Sequence, residues 1–403
     1  MSFNARIPVP KTSKVSDAAS NGRQNPLALS LPEGTDLPEQ PQFAWRGLSV
    51  DVVRHWFGVK DLYRVIDILA AYEFNVMHLH LTDDQGWRLE IPAYPELTEV
   101  SGRTQAGGEV TLDKGYMTLA EYRDLQEYAQ TKGITIVPEI DLPGHVHAAL
   151  HAIPELNPDG VALPPYGGLE VGHSRLLVAN PATKPFIKAV LDTVAENTIG
   201  PYVHIGGDEV PLLPREEFAE LVNYARSIVE GHGKTTVMWQ EGAVTVTGPE
   251  NANVLIQYWE PRLDKAPMIE AAKHGAMFIY SPANHVYFDI KYSQDEPLGI
   301  TWGKSMGPFD VDQARAWDPA SLIPEIPADQ IAGVEAALWS ETLVTFDDLL
   351  TMLFPRMAGI AEVAWHAPSP ELEATFRHRT AAQADTWRGW GVPEIAINRL
   401  KTE

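Results

Sequence analysis

Six consecutive residues, His204-Ile205-Gly206-Gly207-Asp208-Glu209, carry the most chemical information in this chain. An apolar, β-branched run (Tyr202, Val203, Ile205) stops at two glycines and then presents two adjacent carboxylates. Within a strand, neighbouring side chains point to opposite faces. Past a strand's carboxyl end, where glycines free the backbone, both acids can instead turn into one pocket. Two carboxylates held together at a strand end are the usual equipment for splitting a glycosidic bond. The competing reading is a helix N-terminus, where acids favour the helix dipole. Pro211 and Pro214 precede the next helical stretch, and that reading leaves the two glycines unexplained.

Acids at a strand end need a sheet to hold them, and the rest of the chain supplies the pattern for one. Residues 1–42 are rich in Pro, Ser, Asn and Gly and predict an irregular N-terminal extension. From Phe43 onward, short apolar runs alternate with helix-like stretches. Strands are expected at 45–52, 75–81, 134–140, 202–205, 235–239, 254–258, 277–280 and 331–335. Helices are expected at 59–72, 119–132, 184–197, 215–230, 267–274 and 346–365, the second ending at Gly133 as a C-cap. Eight strands with helices between them predict an α/β fold, a (β/α)8 TIM barrel filling residues 43–403. A doubly wound open sheet is the alternative, but no glycine-rich nucleotide turn accompanies it. Functional side chains of a barrel gather at the carboxyl ends of its strands. Polar and aromatic outliers fall on that rim: Asp51 and Arg54, Asp83 and Asp84, Glu139, Asp141 and His145, Asp208 and Glu209. Trp239, Trp259, Tyr287, Asp289, Trp339 and Glu341 complete it.

Composition narrows the partners. Fifty-four Asp and Glu against 31 Lys and Arg give a formal charge of −23, which argues against nucleic acid and anionic membranes. A neutral substrate suits such a surface better than a polyanion. With no cysteine, disulfides, thiolate metal sites and a cysteine nucleophile are excluded. Residues 1–25 contain no apolar core of signal-peptide length and no run of 18 apolar residues occurs, so a cytoplasmic protein is expected. Eleven Trp is a high count, and any single one is more often core than site. Several of them beside carboxylates at strand ends read better as walls for a sugar face.

These residues resemble glycoside hydrolase family 20, the β-N-acetylhexosaminidases, over roughly residues 43–390. The resemblance includes Arg46-Gly47 with Asp51 and Arg54-His55, and the run from His78 through Asp83-Asp84-Gln85-Gly86-Trp87-Arg88. It continues through Pro138-Glu139-Ile140-Asp141-Leu142-Pro143-Gly144-His145, the His204 to Glu209 block, Trp239 and Gln257-Tyr258-Trp259. It ends with Tyr287-Phe288-Asp289 and Glu335-Ala336-Ala337-Leu338-Trp339-Ser340-Glu341. One departure is clear: many members carry a small α/β domain ahead of the barrel, where only about 42 residues stand here.

The resemblance implies a retaining exo-β-N-acetylhexosaminidase in which the substrate's own 2-acetamido group is the nucleophile, an exception to the two-carboxylate scheme. Glu209 would then be the general acid, and Asp208 would hold the acetamide N–H and stabilise the oxazolinium charge. Tyr287 would donate to the attacking acetamide oxygen, while Trp239, Trp259 and Trp339 would box the acetamide methyl and the sugar ring. Arg54, Asp289 and Glu341 would bind the sugar's hydroxyls. Asp83 and His145 would tune Glu209, with Asp141 and His204 in support. Arg46 is expected in structural work. His78, His80 and Asp83 could suit zinc, but a substrate-assisted reaction needs neither metal nor cofactor, and none is expected. The partner would be an oligosaccharide or glycan end bearing a 2-acetamido sugar. A homodimer is compatible with the resemblance, since members often pair through barrel helices. Two other readings compete: a same-fold enzyme releasing a disaccharide such as lacto-N-biose, decided by the loop at 289–318, and a catalytically idle sugar-binding module. The intact Asp208-Glu209 pair argues against the last.

Overall fold

The computed structural model describes residues 40–107, 113–302 and 306–400; the expected N-terminal extension lies outside them except for residues 40–42. Eight parallel strands close on themselves: β1 (Trp45–Asp51), β2 (Val76–His80), β3 (Thr135–Glu139), β4 (Tyr202–His204), β5 (Thr235–Trp239), β6 (Val254–Tyr258), β7 (Met277–Tyr280) and β8 (Ile331–Leu338). Each strand pairs with its neighbour in sequence, and β8 returns to β1 with Trp45 opposite Gly333 and Val50 opposite Leu338. The (β/α)8 barrel expected from the alternating pattern is the fold.

Helices α1 (Val59–Ala71), α2 (Leu119–Thr131), α3 (Thr183–Asn197), α4 (Arg215–Gly231) and α5 (Ala266–His274) cover the outside. Leu62, Val65, Ile66 and Leu69 of α1 recur at helical spacing and are buried. A capping box starts α2, with Glu121 N–H donating to Thr118 Oγ1 (3.2 Å) and Thr118 N–H to a Glu121 carboxylate oxygen (2.9 Å). Arg46 does the structural work expected of it, donating to the backbone carbonyls of Glu73 (2.7 Å) and Phe43 (2.9 Å).

Two boundaries differ from expectation by more than one residue. The closing helix is two helices, α6 (Phe346–Leu353) and α7 (Arg356–Trp365), because Pro355 has no N–H to donate and its ring blocks a continuous turn. Strand β8 runs on to Leu338 instead of stopping at Glu335. A charged residue looks like a strand end, yet this carboxylate lies inside the barrel and accepts from Trp45 Nε1 (2.8 Å) and Gln257 Nε2 (2.8 Å). Gly47 makes room for it: a Cβ there would stand 2.3 Å from Glu335 Oε2.

The period of two sorts the barrel interior into layers. Trp45, Val76, Val137, Tyr202, Val237, Leu255, Ile279 and Ala332 form an apolar floor near the strands' starts. Two residues further along come His78, Glu139, His204, Trp239 and Gln257, a buried polar layer. Two further again, His80, Asp141 and Trp259 reach the mouth. The interior thus passes from grease to charge along its axis. Among the described residues, no helix is long and apolar enough to cross a membrane.

Candidate active site

A cavity opens at the carboxyl ends of the strands, lined by Arg54, His80, Asp83, Asp141, His145, Val171, Asp208, Glu209, Trp259, Tyr287, Trp302, Trp339 and Glu341. A larger depression beside α7, lined by Trp317, Glu362 and His366 among others, shares no lining residue with this set and holds none of its acids.

The turn after β4 is built around Asp141. Gly206 (φ +66°) lies so close that a Cβ would fall 1.7 Å from Asp141 Oδ1, and Gly207 N–H donates to that oxygen at 3.0 Å. A side-chain hydrogen bond joins Asp141 to Asp208. Two buried carboxyls this close cannot both ionise freely. Burial, then the neighbouring charge of Asp141, pushes the Asp208 carboxyl well up, and burial lifts Asp141 to about 7. Glu209 follows at φ +51°, left-handed backbone that side chains rarely adopt.

His145, also at φ +51°, stands between the acids. Its Nε2 is 3.4 Å from Glu209 Oε2 and 3.7 Å from Asp208 Oδ2, while its Nδ1 is 3.0 Å from Asp83 Oδ1. Burial works against its charge, but Asp83, Asp208 and Asp141 together push it well above the ordinary imidazole range. Burial likewise opposes ionisation of Asp83, yet Arg54 and His145 hold it well below the usual carboxylate range. Arg54 Nη2 is 2.8 Å from Asp83 Oδ2 and its Nη1 3.3 Å from Asp51 Oδ2, with the guanidinium 5.4 Å from the Trp339 ring.

Aromatic rings form the opposite wall. Trp259 stacks on Tyr287 (6.0 Å between centroids, 7° between planes), and Trp339 meets Tyr287 edge-on at 5.8 Å. Burial, then the charge of Asp208, pushes the Tyr287 hydroxyl up, so it keeps its proton to donate. Burial lifts Glu341 to about 7, and Asp289 is raised by burial and by Glu341. Asp208 Oδ1, Glu341 Oε2 and Trp339 Nε1 at the cavity are buried with no hydrogen-bond partner among the described residues. Buried polar atoms are nearly always paired, so several such atoms around one cavity suit a ligand rich in hydroxyl and amide groups.

Three expected residues sit one layer back. Trp239 does not line the cavity: its Nε1 donates to Glu139 Oε1 (2.7 Å) and its ring centroid lies 6.0 Å from that of Trp339. Asp289 accepts from Trp302 Nε1 (2.8 Å) behind the wall. His204 accepts from Gly206 N–H at Nδ1 (2.9 Å), and burial lowers it to about 3, so it is neutral with its proton on Nε2.

The sequence reading missed two residues that line the cavity and one acid packed behind it. Trp302 reaches it from the long insert before β8, meeting Tyr287 at 5.7 Å and Trp259 at 6.0 Å. Val171 comes from the connection between β3 and α3. Glu241 accepts from Trp259 Nε1 (3.1 Å) and faces Glu209 N–H at 3.5 Å; burial, then Asp208's charge, lifts it to about 8. Only Glu241 left a signal, as an acid two places beyond Trp239 on the rim. His78, Glu139 and His204 converge closely enough to suggest a metal. Two of their ring nitrogens are engaged, His78 Nδ1 with Glu335 Oε1 (2.9 Å) and His204 Nδ1 with the Gly206 N–H (2.9 Å), while His78 Nε2 lies 3.0 Å from Glu139 Oε2.

Residues 43–368 match the model of "Glycosyl hydrolase family 20, catalytic domain". A β-N-acetylhexosaminidase of Cellulomonas fimi is 44% identical over 351 residues, which cover 87% of this chain and 69% of that protein. A β-hexosaminidase of Porphyromonas gingivalis is 32% identical, and the match covers 84% of this chain but 45% of that protein. The Streptomyces plicatus N-acetyl-β-hexosaminidase, solved in complex with Thio-NAglucal, superposes with a TM-score of 0.83 at 42% identity, covering 88% of this chain and 70% of that one.

Proposed function

The chain belongs to glycosyl hydrolase family 20, and from that premise we propose that it is a retaining exo-β-N-acetylhexosaminidase that releases terminal GlcNAc or GalNAc by substrate-assisted catalysis. The observation that carries this reading is the convergence of Asp208, Glu209 and His145 on a cavity walled by Trp259, Tyr287 and Trp339.

The chemistry follows from those positions. The substrate's acetamide oxygen attacks C1 and the exocyclic C1–O bond breaks, leaving an oxazolinium ion and the departing alcohol. Glu209 gives its proton to the leaving oxygen, then as base removes one from the water that opens the ring, so the anomeric configuration is retained. Asp208 accepts the acetamide N–H and faces the cation that develops. It must be ionised to do so; burial and the charge of Asp141 push its carboxyl well up, and the positive charge that develops beside it on the substrate works against that shift. Tyr287 donates to the acetamide oxygen from within the aromatic wall. Arg54 and Glu341 face the sugar's hydroxyls. Trp302 folds over Asp289 and narrows the cavity on the insert side, which favours a pocket for one sugar over one for a disaccharide.

Turnover of aryl β-N-acetylglucosaminide against the matching β-glucoside tests the proposal. The acetamido substrate should react at least ~10³-fold faster, because the glucoside lacks the internal nucleophile that makes attack effectively unimolecular. Comparable rates would remove the acetamide from the mechanism.

A further inference from the structure

The buried polar layer does more than fill the barrel. Both ring nitrogens of His80 are hydrogen-bonded to carboxylates: Nδ1 to Glu139 Oε2 at 2.6 Å and Nε2 to Asp83 Oδ2 at 2.7 Å. Each bond needs its own proton, and an imidazole carries two only as the cation. The alternative, a protonated carboxyl on either side, is disfavoured by what else those carboxylates accept. Asp83 also faces Arg54 and His145, and Glu139 also faces His78 and the Trp239 N–H. His78 continues the line to Glu335. The result is an alternating string, Glu335–His78–Glu139–His80–Asp83–His145, which ends 3.4 Å from Glu209.

We propose that His80 is a permanently charged positioning residue which, backed by Glu139, tempers the hold of Asp83 on His145 and thereby limits how strongly the imidazole competes with Glu209 for the proton of the catalytic pair. The electrostatics are simple. Asp83 divides its charge among Arg54, His80 and His145. Removing the cation at His80 leaves more of that charge for His145, whose imidazolium becomes more stable. An imidazolium beside Glu209 favours the carboxylate, which cannot protonate a leaving group. The other groups facing His145 are Asp208, Asp141 and Glu209; of these Asp141 also lies within 4.8 Å of His80 and feels its charge, so losing that cation raises Asp141 as well. Burial opposes the charge on His80, yet Glu139 and Asp83 push it well above the ordinary range, in accord with the bonding pattern.

The inference rests on Glu209 being the acid, and its test is built to fail separately. His80→Gln keeps a donor for Asp83 without the charge; Glu139→Gln removes the backing anion. For both, kcat/KM against pH would be measured on phenyl β-N-acetylglucosaminide and on its dinitrophenyl counterpart, with thermal unfolding alongside. The alkaline limb should move up by about half a pH unit or more as His145 gains proton affinity. The plateau should drop roughly 10-fold for the phenyl substrate and much less for the dinitrophenyl one. A folded variant with an unmoved limb would overturn the proposal. Should neither variant fold, ¹⁵N spectra of the wild-type protein at pH 8 decide: two protonated ring nitrogens on His80 support it, and one protonated nitrogen overturns it. Glu209→Gln on the same two substrates tests the acid itself, so a fault in that premise shows there and leaves the nitrogen spectra unaffected.

Discussion

Glu209 and His145 share a backbone peculiarity: both are non-glycine residues at φ +51°. Such a conformation costs on the order of 1–3 kcal/mol and persists where the surroundings fix it. Here it aims the two side chains at each other across 3.4 Å. Replacing Glu209 by Gln keeps the shape and removes the transferable proton. Activity on phenyl β-N-acetylglucosaminide should then fall roughly 10²- to 10⁴-fold, with a much smaller loss on the dinitrophenyl glycoside, whose leaving group needs little protonation. Equal losses on both would count against the acid role. At this scale the acids were legible, since Asp208 and Glu209 follow two glycines past an apolar strand. Trp302 and Val171 were not, because they arrive from long connections whose path no periodicity reports. The positive φ values were also hidden, for neither position carries the glycine that would announce one.

Elements explain why the acids meet. A period of two along each strand places Val76, His78 and His80, or Val137, Glu139 and Asp141, on one interior face, so the layering could be read from strand position alone. Boundaries were less legible where a single residue sent a mixed signal. Glu335 resembled a strand end because its partners, Trp45, His78 and Gln257, come from three other strands. Pro355 split a helix that hydrophobic spacing alone made continuous. The β4 turn makes its own prediction. Gly206→Ala must displace Asp141 or the turn, and its φ of +66° suits alanine poorly. We expect activity to fall at least ~100-fold, since misplacing catalytic groups by about 1 Å has that effect. Far-ultraviolet circular dichroism should stay unchanged. Gly231→Ala, where an added Cβ meets nothing within 4 Å, serves as the control and should leave both unaltered. Near-normal turnover of Gly206→Ala would show that Asp141 does not set the position of the acids.

For the whole molecule, the groups buried in the barrel decide how stability depends on pH. Asp141 and Glu341 are lifted to about 7 and Glu241 to about 8, burial being the chief cause in each. His78 reaches about 9 because Glu139 and Glu335 outweigh its burial. In the unfolded chain these carboxyls ionise near pH 4 and the imidazole near 6.5. Between pH 6.5 and 9 the folded protein therefore holds protons that the unfolded chain has released. The contribution of His78 is complete below 6.5 and lost through 9, while the penalty for burying the three acids grows until each ionises. His204 and His366, lowered by burial to about 3 and 4, act in the other direction, but below 6.5. The unfolding temperature should thus fall by on the order of 5 °C from pH 6.5 to 9 at fixed ionic strength. Calorimetry showing a flat or rising trend would contradict the charge states assigned above. Beneath the ionic string, the apolar floor from Trp45 to Ala332 shuts the lower end of the barrel to water. The mouth, where the proposed sugar site lies, is the end that opens to solvent. A sugar docked there would cap the open end, leaving the buried ion pairs shielded from solvent on both sides.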